Sequence, residues 1–219
     1  MSEAPTDTHE VHGVDGVRGY LHRPDGPEVA ALALTHGAGG DCSAKFLVDV
    51  ATTWSAHGVT VLRFDLAFRQ AKPSGPPHPS KSAADRNSVV LAVEYLGSLT
   101  AAPLVVGGHS YGGRQASMTV SEGLSAVGAL LLSYPLHPPG KPDKARTAHL
   151  PGIDIPTLFV SGTKDPFGTP DELRLAIASI PGPTELLEID GAGHDLSAAK
   201  HRVAERSFEH ASPLFGTAR

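Results

Sequence analysis

Short and nearly continuous apolar runs punctuate the chain at residues 29–35 (VAALALT), 59–64 (VTVLRF), 104–108 (LVVGG), 127–133 (VGALLLS), 155–161 (IPTLFVS) and 185–189 (ELLEI). Runs of this length without polar alternation predict strands buried on both faces. The stretches between them predict helices at about 43–56, at 83–98, from just after Ser110, at 170–179 and at 197–210. Ser82 precedes the second of these as a candidate N-cap, with Asp85 three residues on. Thr169, Pro170, Asp171 and Glu172 spell a capping box with proline at the first helical position. Two shorter runs, 9–14 and 17–22, flank Asp15 and Gly16, a hairpin-turn signal. Residues 66–81 are rich in proline and read as a loop. Buried strands alternating with helices predict an α/β fold, a mostly parallel central sheet with helices on both faces. No repeat or linker divides the chain, so one domain is expected over 1–219, with 1–8 as a flexible N-terminal tail. Such sheets collect ligands at the carboxyl ends of their strands.

At the carboxyl end of the LVVGG run the chain reads Gly108, His109, Ser110, Tyr111, Gly112, Gly113. A G-x-S-x-G between a strand and a helix is a nucleophile elbow. The turn tolerates only small neighbours, and the following helix aims its N-terminus at developing negative charge. In a chain with 24 glycines a harmless Gly-Ser turn is the alternative, and the strand–turn–helix setting favours the elbow. The chain order then calls for an acid and a histidine past later strands. Asp165 follows IPTLFVS, whereas Asp154 precedes that strand and so sits at the wrong sheet edge. Asp190 follows the last strand and Asp195 abuts the candidate histidine, leaving neither a loop separate from the base. A plain turn aspartate before Pro166 is the competing reading of Asp165. His194 lies in the Gly191–His194 turn region before the last helix, where Gly193 lets the backbone carry the imidazole over the sheet edge. In these roles Ser110 attacks, His194 shuttles the proton, and Asp165 fixes its tautomer.

The His36, Gly37, Ala38, Gly39 and Gly40 turn follows the VAALALT strand, where esterases of this architecture place an oxyanion donor. The expected donors are the backbone N–H groups of Ala38 and Tyr111. Without a G-K-[ST] ending or a G-x-G-x-x-G fingerprint, a phosphate-cradling loop is the weaker alternative. Phe68, Arg69, Tyr134 and His137 stand in loops from the same strand edge and are candidates to line the substrate pocket. Arg69 and Lys141 would favour an anionic substrate; loop packing and solvated charge explain the same residues equally well. Arg114 is expected to be structural, in a salt bridge or capping a loop, and His36 and His109 to be hydrogen-bonded scaffold. His201 and His210 are expected on helix surfaces. Residues 134–154 occupy the usual place of a lid domain, and some twenty Pro-rich residues cannot build a helical cap. A shallow site for small soluble acyl substrates follows.

Composition narrows the picture. The net charge of −5 lacks the basic excess that drives nucleic-acid or membrane-surface binding. The N-terminal MSEAPTDTHE has neither the cationic start nor the apolar run of a signal peptide, and no stretch is long enough for a bilayer span. With Cys42 alone no intrachain disulfide forms, which fits a cytoplasmic location. The 12 histidines are scattered, without HExxH or Cys/His ligand spacing, so neither a metal nor a cofactor is expected.

The segments THGAGGD (35–41), RFDLAFR (63–69), GGHSYGGRQA (107–116), SYPLHPPGKP (133–142), SGTKDPFG (161–168) and GAGHDL (191–196) together resemble the compact, cap-less α/β-hydrolases akin to dienelactone hydrolase. Within that group the likeness is to bacterial hydrolases related to the NSL complex subunit 3 hydrolase-like domain, over about residues 28–215. The resemblance implies the same triad of Ser110, Asp165 and His194. Dienelactone hydrolase itself uses cysteine as nucleophile, where this chain has Ser110. The function expected is a serine hydrolase cleaving small soluble carboxylic esters or thioesters through an acyl-enzyme. The alternative is a catalytically silent hydrolase-fold interaction domain, whose mark would be a broken triad.

Overall fold

The computed structural model describes residues 7–14, 16–196 and 198–216. Asp15 of the expected hairpin turn, Ser197 at the expected start of the last helix and most of the expected N-terminal tail lie outside these residues. In chain order the strands are β1 (Asp7–Val14), β2 (Val17–Arg23), β3 (Ala30–Thr35), β4 (Val59–Phe64), β5 (Leu104–His109), β6 (Gly128–Leu132), β7 (Thr157–Gly162) and β8 (Thr184–Ile189). The helices are α1 (Lys45–Ala56), α2 (Ala67–Ala71), α3 (Ser82–Leu99), α4 (Tyr111–Ser121), α5 (Pro170–Ile177), α6 (Ala198–His201) and α7 (Val203–Glu209). The strands form one sheet in the order β1-β2-β4-β3-β5-β6-β7-β8. The pairs β1·β2 and β2·β4 are antiparallel and every later pair is parallel.

The unbroken apolar runs are explained by layers on both sides. Every residue of β3, β4, β6 and β7 is buried. Successive residues point to opposite faces. Ala31, Ala33, Val106, Leu131 and Phe159 therefore pack on one side with Val89 and Ala92 of α3, Ala116 of α4 and Leu173 of α5. Leu32, Leu34, Val105, Leu130 and Val160 pack on the other with Leu47, Val50 and Trp54 of α1 and Val203 of α7. Trp54 Nε1–H donates to Ser207 Oγ at 3.2 Å, so the deepest aromatic ring keeps its polar handle satisfied and ties α1 to α7.

Four local expectations meet different outcomes. The capping box forms: Thr169 Oγ1 accepts from the Glu172 N–H, and the Glu172 carboxylate accepts from the Thr169 N–H at 2.8 Å. Ser82 is not an N-cap. A 3-10 turn at Pro79–Lys81 runs directly into α3, and Ser82 Oγ–H donates to Gln115 Oε1 at 2.9 Å instead. The Pro-rich loop contains the short helix α2. The last helix breaks in two at Arg202, which takes a left-handed φ of 50°. Residues 134–154 hold only the 3-10 turns Pro142–Lys144 and Leu150–Gly152, so no cap domain covers the carboxyl edge of the sheet.

Candidate active site

β5 ends at His109 and α4 begins at Tyr111, leaving Ser110 alone in the turn with φ 51° and ψ −116°. A non-glycine residue pays a steric penalty there, and only close surroundings hold it. The Ser110 N–H donates to the Leu132 carbonyl at 2.8 Å, and its own carbonyl accepts from the Arg114 N–H at 3.0 Å. The flanking glycines are a steric requirement. A Cβ on Gly108 would stand 2.6 Å from the Gly112 and Gly113 backbone, and one on Gly112 would stand 2.4 Å from the His36 oxygen.

Ser110 Oγ lies 2.7 Å from His194 Nε2. On the far side of the ring, His194 Nδ1 lies 2.8 Å from Asp165 Oδ2 and 3.0 Å from Oδ1. An ionised carboxylate offers no proton, so Nδ1 carries the hydrogen and Nε2 is left as the acceptor facing the serine hydroxyl. The Asp165 side chain is 1% exposed and also accepts from the Phe167 N–H at 2.8 Å, which fixes the carboxylate plane. Tertiary contacts set this spacing. The loop after β7 and the loop after β8 are laced together by Lys164 N–H to the Ala192 carbonyl at 2.9 Å and Gly191 N–H to Thr163 Oγ1 at 2.8 Å. The Phe167 ring stacks on the imidazole at 4.2 Å between centroids. His109 Nε2–H donates to the His194 carbonyl at 3.2 Å, and burial pulls His109 down to about 4, keeping it a neutral strut.

The turn after β3 approaches the elbow closely: a Cβ on Gly37 would lie 3.5 Å from Ser110 Cβ. Among the described residues no hydrogen bond occupies the N–H of Ala38 or of Tyr111, and both residues border the same cavity as Ser110. Beneath them His36 is fully buried, with Nδ1–H donating to the Gly37 carbonyl at 2.9 Å and Nε2 accepting from the Leu66 N–H at 3.2 Å. Burial holds His36 below its ordinary value. Asp65 accepts from Arg18 Nε at 2.8 Å and from the Cys42 N–H at 2.8 Å, pinning the far end of the turn.

The cavity at Ser110 holds about 510 Å³, and its walls include Ala38, Tyr111, Arg114, Pro77, Pro79, Phe167, Pro135 and Arg146. The four residues expected in the pocket lie elsewhere. Arg69 is buried, and its guanidinium donates to the carbonyls of Gly40, Ala38, Lys72 and Gly75, so it is a brace for the turn after β3 and the Pro-rich loop. Tyr134 is buried in the core with its hydroxyl donating to the Arg146 carbonyl at 2.6 Å. His137 Nε2 faces Glu172 at 3.4 Å. The Phe68 ring packs edge-on against His36 and Tyr111 and borders a separate cavity behind the Pro-rich loop. Lys141 is exposed. Conversely, Arg114 makes no salt bridge among the described residues and faces the cavity. One helical turn separates Arg114 from Ser110, a signal the sequence carried; Arg146, Pro77, Pro79 and Phe167 reach the cavity only through loop paths that no local pattern encodes.

Residues 28–212 match the family described as alpha/beta hydrolase domain. Among solved structures, dienelactone hydrolase from Anabaena variabilis superposes with a TM-score of 0.77 at 20% identity, covering 96% of this chain and 99% of that one. An alpha-beta serine hydrolase homologue from Coxiella burnetii gives 0.69 at 18% identity, covering 96% and 100%. An esterase from Pyrococcus furiosus gives 0.74 at 16% identity, covering 97% and 92%. At these identities the likeness is one of fold.

Proposed function

Because the chain belongs to the alpha/beta hydrolase domain family, we propose that it is a serine hydrolase acting on small carboxylic esters or thioesters through an acyl-enzyme. The observation that carries this reading is the unbroken relay from Ser110 Oγ through His194 to the buried Asp165 carboxylate. His194 Nε2 takes the hydroxyl proton as Oγ attacks the acyl carbon. The resulting oxyanion accepts hydrogen bonds from the Ala38 and Tyr111 N–H groups, each donor supplying on the order of 3 kcal/mol. Collapse breaks the bond to the leaving oxygen or sulfur, which receives the proton from Nε2. A water then enters, gives its proton to Nε2, attacks the acyl carbon, and Ser110 leaves with that proton restored. Asp165 stays ionised throughout and holds the ring in the productive tautomer.

These steps use the chain's own groups and one water. The test is hydrolysis of a p-nitrophenyl series, acetate through octanoate, by wild type and Ser110→Ala. Short-chain turnover that vanishes in the variant is the expected result. Silence across the series from folded protein would favour a hydrolase fold kept for binding.

A further inference from the structure

Two guanidinium groups, Arg114 and Arg146, border the same cavity as the nucleophile. The carboxylate ion pairs of lysine and arginine among the described residues go to Arg18, Lys45, Arg86 and Arg174, and none goes to these two. Arg114 Nε is buried and has no hydrogen-bond partner among the described residues. Arg146 spends one N–H, from Nη1, on the Pro135 carbonyl at 2.9 Å, and among the described residues its other guanidinium donors have no partner. The two charges act on each other: burial first, and then the Arg114 charge, pull Arg146 below its ordinary range. The same Arg114 charge, after burial, helps hold the adjacent His149 down to about 4, so that ring is neutral.

Two half-buried like charges with unfilled donors are costly unless an anion answers them. Arg69, also buried, shows what a bracing arginine looks like in this chain, with its donors filled by carbonyls. Arg114 and Arg146 lack that. Their planar forks suit a carboxylate, which would accept charge-assisted hydrogen bonds from both. Arg114 sits one helical turn, about 5.4 Å along the axis, beyond the nucleophile, so the acid group belongs only a few bonds from the scissile carbonyl. Pro77, Pro79 and Phe167 offer apolar surface for the linking methylenes.

We infer that the hydrolase prefers esters carrying a free carboxylate near the scissile bond, held by Arg114 and Arg146. The inference rests on the serine-hydrolase reading and extends it to substrate class. The test compares kcat/KM, by pH-stat, within two pairs matched in carbon number: monoethyl adipate against ethyl hexanoate, and 4-acetoxybutanoate against butyl acetate. The first pair places the acid on the acyl side and the second on the leaving-group side. A preference of roughly tenfold or more for the acid is expected in at least one pair, the size of a charge-assisted contact. The ratio should fall toward unity in Arg114→Gln and in Arg146→Gln, and Arg114→Lys should keep part of it. A merely structural role would slow both esters of a pair alike and leave the ratio where it was. Equal or faster neutral esters in both pairs, a ratio unchanged in both glutamine variants, or no turnover of either acid overturns the inference. Labelling of Ser110 by a neutral fluorophosphonate, run alongside, reports separately on the hydrolase reading. A labelled protein without the preference sinks only the carboxylate, and an unlabelled folded protein sinks both.

Discussion

Replacing Asp165 with asparagine isolates the orienting role proposed for it, because the amide keeps the size of the carboxylate. Two donors now point at that side chain: the Phe167 N–H at 2.8 Å and His194 Nδ1 at 2.8–3.0 Å. The backbone donor cannot change, so the asparagine carbonyl oxygen is retained by Phe167 and its NH2 group turns to the imidazole. A donor facing Nδ1 demands an acceptor there, which moves the ring hydrogen to Nε2. Nε2–H then faces Ser110 Oγ, where a lone pair is required. Wrong-tautomer variants of such relays lose about 10⁴-fold in kcat, or about 5 kcal/mol in the barrier. KM should hardly move, since Asp165 does not border the cavity at Ser110. Fold stability should change little, since all the buried polar atoms keep partners. The assay is p-nitrophenyl acetate turnover beside a urea unfolding curve. A kcat within tenfold of wild type, at unchanged stability, would refute the tautomer argument.

Gly112→Ala forces a methyl to 2.4 Å from the His36 oxygen and 2.7 Å from Thr35 Cγ2, so it should cost about 1–3 kcal/mol in urea unfolding; an unmoved midpoint would contradict the close approach of the elbow to the turn after β3. Arg69→Ala removes a buried brace from four carbonyls and should destabilise by about 2–4 kcal/mol in the same measurement, while the ratio of anionic to neutral ester turnover stays as in wild type. A changed ratio would return Arg69 to the pocket. His22, His109 and His149 each fall to about 4 in the fold, chiefly through burial, from an ordinary value of 6.5. The unfolded chain therefore binds more protons as pH falls. Their contribution is intact above pH 6.5 and is lost on descending toward 4, so the melting temperature should be level above that window and drop within it. A flat melting temperature across the window would contradict neutral burial.

Local signals in the sequence led directly to the parts of the fold that local physics decides. Continuous apolar runs marked the parallel strands because each is covered on both faces, and the Thr169 box formed because its two partners lie within one turn. The glycines around Ser110 marked the elbow because the turn has no room for side chains. Long-range partners decided the rest. Ser82 has the composition of a cap, yet Gln115 of α4 claims its hydroxyl. Asp85, three residues on, serves neither cap nor solvent: it is buried and accepts from the Phe68 N–H at 2.9 Å and the Tyr111 hydroxyl at 2.7 Å. Arg69 read as pocket charge because its loop leaves the right strand edge, and only the fold reveals the carbonyls that fill its donors. The α6–α7 break at Arg202 had no glycine or proline to announce it.

The central claim is that Ser110 is an activated nucleophile, and intact-protein mass spectrometry after exposure to a fluorophosphonate tests it most directly. A single adduct is predicted, mapped by peptide analysis to Ser110, absent from Ser110→Ala and far slower to form in Asp165→Asn. No adduct on folded wild-type protein, or an adduct that persists in Ser110→Ala, would contradict it.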